Sequence, residues 1–196
     1  MRRDFASLTL KEVMQILGQE NLRFWAPDAP PRPPSAHLLE DLRRKEAFDL
    51  RGSEAAKLLL IDAVFTEVVP GHPRLRIWKD IALESGDLMG RADYLFAPKR
   101  AYLDTPLLCV VEAKRDDFEQ GQTQCLAEML ACQWNNQKKG IKTDVFGIVS
   151  NGQLWQFYRM ALSGETLETT EYAIVDLPVL LGVLDYVCAE CSALIP

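Results

Sequence analysis

The run LLCVVEAK, residues 107–114, constrains the fold more than any other part of the chain. It opens with apolar residues that include two adjacent valines, as a buried strand does. Side chains alternate between the two faces of a strand, so Val110, Glu112 and Lys114 share one face. The run therefore predicts a buried strand that ends in two opposite charges on one side. Either the chain simply reaches water here, or the strand end carries a site.

The segments around this run predict a mixed α/β arrangement. Helical and strand patterns alternate along the chain, and Asn151-Gly152 is typical of a tight hairpin turn. The expected elements are a helix at 53–69, strands at 74–84, 90–97 and 107–114, a helix at 120–139, strands at 144–150 and 153–159, a strand near 172–175 and a C-terminal helix. This order favours a mixed central sheet flanked by helices on both faces. On the strand at 153–159, Trp155 and Tyr158 are expected to be core residues, and the side chains expected to face inward on the helix at 120–139 are Cys125, Leu126, Met129, Leu130 and Trp134.

The N-terminal part is expected to form an arm. Thr9 and Glu12 make a capping box for a first helix that ends at Gly18. Five prolines between residues 27 and 34 exclude helix or central strand and predict a stiff connector. We therefore expect residues 1–34 to be a helical arm with its connector, packed on the body or on a partner, and residues 1–18 to lie outside the core of the domain. Residues 35–196 would form the α/β domain, beginning with a charged helix at 35–48.

Composition narrows the class of protein. The 196 residues are 48% hydrophobic and 26% charged, which predicts a packed core. A net charge of −6 does not suit non-specific phosphate binding, but it fits carboxylates gathered around a cation. Five cysteines without framework spacing indicate reduced thiols in the cytoplasm, and Cys188 and Cys191 are expected to be core residues. We expect no signal peptide and no membrane span.

A second acidic residue is expected next to the charged strand end. Asp93 interrupts the apolar strand at 90–97. If this strand pairs antiparallel with residues 107–114, Asp93 can lie beside Glu112 and Lys114. Two neighbouring carboxylates repel each other unless a cation lies between them, and Mg²⁺ is commonly held by one or two carboxylates. Such an ion activates water, and a lysine can stabilise a phosphate in attack. The pattern predicts metal-assisted phosphodiester hydrolysis.

Asp93 followed by Glu112-Ala113-Lys114 resembles the signature of the PD-(D/E)XK nucleases. The resemblance covers residues 53–159 and is nearest to the N-terminal nuclease domains of type I restriction enzyme motor subunits and related stand-alone proteins. Those domains also carry a glutamine on the next helix, here Gln124, and an Asn-Gly hairpin followed by Trp, here Trp155. The resemblance implies a restriction-endonuclease-like α/β fold and DNA cleavage with Mg²⁺ or Mn²⁺.

The resemblance also implies roles for individual residues. Asp93 and Glu112 would be metal ligands, Lys114 the catalytic lysine, and Gln124 a residue that positions substrate or Lys114. Glu54 matches an acidic residue on the first core helix that is often a further ligand, although a glutamate in the capping region of a helix is an equally good explanation. Glu112 and Lys114 could also form only a surface ion pair.

Two positions depart from the family pattern. Asp93 is preceded by Ala92 where the signature has proline, and Glu128 stands where many relatives have tyrosine. The second departure weakens a DNA-contact role at that position. No helicase motif follows the nuclease-like region.

We therefore expect a Mg²⁺-dependent DNA nuclease that acts in restriction, defence or repair. The alternative is a catalytically silent module on the same fold that binds nucleic acid or a protein partner, and a scaffold with no nucleic-acid role is a third explanation. A homodimer, and a protein partner on the N-terminal arm, are left open. RNA in place of DNA is also left open.

Overall fold

The computed structural model describes residues 3–50, 54–86, 88–114 and 118–196, without the side chain of Glu54. The helices are α1 (Leu10–Leu17), α2 (Ala36–Lys45), α3 (Glu54–Val68), α4 (Phe118–Lys138) and α5 (Leu177–Ala193). The strands are β1 (Arg3–Asp4), β2 (Arg23–Phe24), β3 (Leu75–Ser85), β4 (Leu88–Pro98), β5 (Cys109–Ala113), β6 (Val145–Ser150), β7 (Leu154–Met160), β8 (Thr166–Glu168) and β9 (Tyr172–Ala173).

All these strands belong to one mixed sheet. Its order is β1-β4-β5-β6-β7-β8-β2, with β3 also paired to β4 and β9 to β7. The pairs β3–β4, β4–β5 and β6–β7 are antiparallel, whereas β5 and β6 run parallel with α4 as their crossover. The parallel pair needs such a crossover because a hairpin cannot join parallel strands. The expected mixed α/β sheet flanked by helices is confirmed.

Each face of the sheet has its own core. On one face α3 and α5 cover the sheet, and the Phe65 ring makes edge-to-face contacts with Tyr94, Phe96 and Trp155. On the other face α4 packs on Val110 and its neighbours through Met129 and adjacent apolar residues. Because the two faces of β5 are both covered, a charged side chain at its end must find its partners inside the protein.

Several expectations about individual side chains can be compared with the structure. Trp155 and Tyr158 are fully buried core residues, and Cys188 and Cys191 are buried free thiols, as expected. Trp134 was expected to face inward on α4, and this was wrong. Its side chain is 40% exposed, and the Lys138 ammonium lies over its ring, 4.9 Å from the centroid.

The N-terminal segment packs on the body. Phe5 and Val13 are fully buried in the core under α4, and β1 pairs with β4. The connector is held as well, since the Arg32 guanidinium lies 2.6 Å from Asp185 and Trp25 packs on Phe146. We expected residues 1–18 to lie outside the core, but Phe5 and Val13 are part of it. That residues 35–196 can fold alone stays a prediction.

No helix in the described ranges combines the length and apolar character that crossing a bilayer requires.

Candidate metal site at the end of β5

Asp93 lies at a gap along one edge of β4. β3 pairs with the opposite edge of β4 on both sides of Asp93, at residues 88–92 and 94–98. On the Asp93 edge, β5 is paired at residues 94–96 and β1 at residues 88–89. Asp93 therefore stands just beyond the last rung shared with β5, Tyr94 opposite Val111. At this point β5 is bonded to a side chain of β4 and not to its backbone. The Ala113 N–H donates a hydrogen bond to Asp93 Oδ2 at 2.7 Å.

Glu112 and Lys114 form a buried ion pair beside Asp93. Lys114 Nζ lies 2.8 Å from Glu112 Oε1, and their side chains are only 17% and 3% exposed. The strand end is fixed because the Lys114 N–H donates to the Ser150 carbonyl at 3.0 Å. A solvated surface ion pair, one of the explanations left open by the sequence, does not describe this arrangement.

Lys114 reaches its position by passing over a glycine of α4. A Cβ atom at Gly121 would stand 2.9 Å from Lys114 Cγ and 2.8 Å from Val149 Cγ1. Both distances are far shorter than a normal carbon–carbon contact, so only glycine leaves room for the lysine stem here. Gly121 thus belongs to the site although it carries no chemistry of its own.

The electrostatic environment keeps a proton close to Glu112. Burial and the neighbouring Asp93 charge raise the pKa of Glu112 to about 7, against the opposing effect of Lys114. A carboxyl with this pKa exchanges its proton near neutral pH. A cation competing for the same oxygens would displace that proton.

α4 brings a further carboxyl to Glu112. Glu128 is fully buried, and its Oε1 accepts a hydrogen bond from Gln124 Nε2 at 3.2 Å. Burial and the nearby Glu112 raise the pKa of Glu128 well above its ordinary range. Oε2 of Glu112, Oε2 of Glu128 and Oε1 of Gln124 are all buried without a hydrogen-bond partner among the described residues.

The structure bears differently on each of the residues that the sequence placed at the site. Asp93, Glu112 and Lys114 lie together, as the strand pattern predicted. Gln124 contacts Glu128 rather than Lys114 in the bonds described above. The side chain of Glu54 is outside the described part of the structure, so its expected role as a metal ligand stays a prediction.

Sequence reasoning did not assign Glu128 to the site, although a signal was present. Glu128 lies one helical turn after Gln124, between Cys125 and Met129, which were expected to face inward. A glutamate at such a position is rarely buried without a partner. The interior pattern of α4 could therefore have identified it.

The side chains offer a partial set of ligands for a divalent ion. Across the described residues, no three His, Cys, Asp or Glu side chains are gathered in a way that would hold a metal. Mg²⁺, however, commonly uses one or two carboxylates and completes its shell with water and substrate oxygens. Half-buried Asp93 and the unpartnered Oε2 of Glu112 fit that requirement.

Comparison with known proteins gives a distant and partial similarity. No protein-family model matches the chain. The chain is 31% identical to Crinkler effector protein 5 of Phytophthora infestans, over 52% of this chain and 33% of that protein. The match thus spans about a third of the relative's length, so it bears on one segment of that protein.

Proposed function

We propose that the protein is a Mg²⁺-dependent phosphodiester hydrolase that acts on DNA. The observation that carries the proposal is the meeting of Asp93, Glu112 and Lys114 where β4 and β5 part. Keeping two carboxyls this close in a buried place costs free energy unless a cation or proton lies with them. A cation bound between the two carboxylates would offset this free-energy cost.

Each residue has a role in this proposal. Asp93 and Glu112 would hold Mg²⁺, which when bound lowers the pKa of a water molecule and offsets charge on a phosphate. Lys114 presents a positive charge whose position is fixed by Glu112 and by the close approach to Gly121. A fixed cationic group of this kind stabilises the charge that develops on the phosphate oxygens.

The resemblance to PD-(D/E)XK nucleases supports the same function. The chain has the family's residue types at Asp93, Glu112, Lys114 and Gln124, and here the first three occupy one place on a mixed sheet. Under this proposal the biological setting is restriction, defence or repair, and the fold is restriction-endonuclease-like.

The test is metal-dependent cleavage of supercoiled plasmid DNA. The wild type should nick the plasmid with Mg²⁺ or Mn²⁺ and not with EDTA, and Asp93→Asn should lose the activity. The matched control is Asp176→Asn, because Asp176 is exposed at the start of α5 and its side chain makes no capping hydrogen bond. Equal cleavage by wild type and Asp93→Asn would remove Asp93 from the mechanism.

A silent binding module is the second candidate, and the net charge of −6, which does not suit non-specific phosphate binding, favours a module that binds a protein partner. A module of this kind would bind nucleic acid or a protein partner without cutting. Gel-shift and plasmid assays on the same preparation separate the two functions, since binding without any metal-dependent cleavage supports the module.

A further inference from the structure

One residue of β3 departs from the backbone of a strand, and it lies directly across from Asp93. The two strands β3 and β4 pair rung by rung on both sides of Asp80 and Asp93, but no rung of the ladder joins these two residues. Asp80 has a φ of 53°, and among the described residues it is the one non-glycine residue with a positive φ. This left-handed conformation costs an aspartate free energy, so the surrounding structure must hold Asp80 there.

The guanidinium of Arg91 holds this conformation from the neighbouring strand. Its Nε donates to the Asp80 carboxylate and its Nη2 donates to the Asp80 carbonyl, both at 2.5 Å. The second bond fixes the direction of the peptide group that follows residue 80. Because both side chains are exposed, the ion pair itself adds little to the stability of the fold. Arg91 lies on β4 two residues before Asp93, so the left-handed residue is tied to the short piece of β4 that carries the candidate metal ligand.

Both strands exchange the faces of their side chains at this rung. In a regular strand, residues separated by an even number of positions share a face. Ile77 nevertheless packs on the core that α3 and α5 cover, whereas Leu83 is buried in the core under α4. On β4, Tyr94 belongs to the first core and Ala92 to the second. The irregular rung thus lets one hairpin supply apolar side chains to both cores.

Asp93 lies at the point where β4 exchanges its faces, and its side chain follows neither face. A main-chain N–H of a strand points within the sheet towards the neighbouring strand. The Asp93 carboxylate accepts the N–H of Ala113 at 2.7 Å, so it lies in the plane of the sheet, between β4 and β5. A regular strand would direct the side chain to one face and away from this N–H. The hydrogen bond therefore depends on the irregular backbone at this rung.

We propose that Asp80 is a positioning residue for Asp93. Its left-handed backbone, fixed by Arg91, interrupts the β3–β4 ladder at the rung where Asp93 turns its carboxylate towards the end of β5. The effect on DNA cleavage rests on the proposed function, whereas the effect on the bond between Ala113 and Asp93 does not. The carboxylate of Asp80 is bonded to Arg91, so Asp80 acts through Asp93 and takes no part in the chemistry itself.

The experiment compares full-length variants that differ in their tolerance of a positive φ at residue 80. Asp80→Gly and Asp80→Asn can keep the left-handed conformation, whereas the β-branched side chain of Asp80→Val resists it. The matched control is Ala82→Val, which places the same valine at an exposed position of β3 two residues further along. The first readout is amide hydrogen exchange followed by NMR in EDTA. It compares the Ala113 N–H, bonded to Asp93, with the Lys114 N–H, bonded to the Ser150 carbonyl on the other edge of β5.

We expect the Ala113 N–H to exchange about tenfold faster or more in Asp80→Val, while the Lys114 N–H keeps its wild-type rate. Ala82→Val, Asp80→Gly and Asp80→Asn should protect the Ala113 N–H as the wild type does, because the backbone conformation and not the charge at residue 80 positions Asp93. If Asp80→Val does not fold, Asp80→Ala replaces it. Equal protection of Ala113 in all variants would overturn the proposal. Equal loss at Ala113 and Lys114 would overturn it too, since it would indicate a general loosening of the strand end.

Plasmid cleavage with Mn²⁺ separates this inference from the proposed function. Asp80→Val should cleave at least about tenfold more slowly than the wild type, and Asp80→Gly should restore the rate, because a misplaced carboxylate aligns the reaction poorly. If the wild type cuts no plasmid but Asp80→Val still loses the protection of Ala113, the proposed function fails and the positioning of Asp93 stands. If Asp80→Val cuts plasmid at the wild-type rate, the nuclease stands and the positioning role of Asp80 is overturned.

Discussion

At the scale of single residues, burial and the neighbouring charges act together on the pKa of Glu112. Its pKa of about 7 arises mainly from burial, with Asp93 adding to the shift and Lys114 reducing it. The same residue must lose its proton before it can hold a cation. Protonation and metal binding are therefore linked at this position.

This linkage predicts a pH dependence of stability. Between the ordinary carboxyl pKa of 4.5 and about 7, the folded protein keeps a proton that the unfolded chain has lost. The contribution of Glu112 to the free energy of unfolding is thus complete below pH 4.5 and is lost as pH rises through 7. Without metal, the free energy of unfolding of the wild type relative to Glu112→Gln should fall by up to about 3 kcal/mol from pH 5 to pH 8.

Urea titrations of both proteins across this pH range measure the difference. With Mn²⁺ present, stabilisation of the wild type should instead increase with pH, because the cation and the proton compete for one carboxyl. A difference between the two proteins that does not change with pH would contradict the raised pKa.

Lys114 should separate binding of the ion from the rate of reaction. Lys114→Met keeps an unbranched stem over Gly121 but removes the ammonium that lies 2.8 Å from Glu112. We expect Mn²⁺ still to raise the melting temperature of this variant, while plasmid cleavage falls by about 100-fold or more. Cleavage at the wild-type rate would exclude Lys114 from the chemistry.

At the scale of elements, the end of β5 and the start of α4 pack closely because residue 121 of α4 is a glycine. Gly121→Ala should gain up to about 1 kcal/mol in helix propensity. The new methyl group would nevertheless collide with Lys114 Cγ and Val149 Cγ1, and both are buried against the sheet. We expect a net loss of stability of about 1–3 kcal/mol and a displaced Lys114.

The control for this substitution is Gln137→Ala, at an exposed position on α4 far along the helix. It tests the effect of alanine on the helix without the collision. Chemical denaturation of both variants, with plasmid cleavage as second readout, checks the prediction. A Gly121→Ala protein that is more stable and equally active would show that Lys114 has room to move.

The long elements of the fold could be predicted from the sequence, whereas most of the short strands, with the exception of β9, could not. β3, β4, β5 and α4 have runs of apolar residues with clear periods, so their existence and order followed from the pattern. β1, β2 and β8 have two or three residues each and depend on pairing with distant strands. No local pattern of two residues indicates such pairing.

The candidate site shows the same division. Asp93, Glu112 and Lys114 could be placed together because the strand alternation fixes their faces. Glu128 approaches them only because α4 packs on the sheet. In the sequence, this approach is indicated only by one charged residue within an apolar stripe. The gap beside Asp93 depends on where β5 and β1 each meet β4, and this is set by the whole sheet.

At the scale of the whole molecule, the N-terminal segment and its connector hold together distant parts of the body. The Arg32 N–H donates to the Pro178 carbonyl at 2.8 Å, and the Arg32 side chain donates to the Glu67 carbonyl at 3.1 Å. Phe5 fills the space beside Gly90 of β4, where a Cβ would meet its ring. The segment thus covers both faces of the sheet.

Deletion of residues 1–34 should leave a body that still unfolds cooperatively, but at a lower temperature. The body keeps α3, α4, α5 and the long strands, while it loses the cover that Phe5, Val13 and Trp25 provide. Thermal unfolding followed by circular dichroism and by tryptophan fluorescence measures this. A broad transition that differs between the two signals would show that the segment is part of the folding unit.

The most direct measurement for the candidate site is a crystal structure of the full chain soaked in Mn²⁺, with anomalous diffraction to locate the ion. The proposed function predicts a Mn²⁺ peak between the carboxylates of Asp93 and Glu112, with an oxygen of each about 2 Å from the ion. An ordered site without a peak at saturating Mn²⁺, or with the Asp93 and Glu112 carboxylates more than about 8 Å apart, would contradict the metal site on which the nuclease proposal depends.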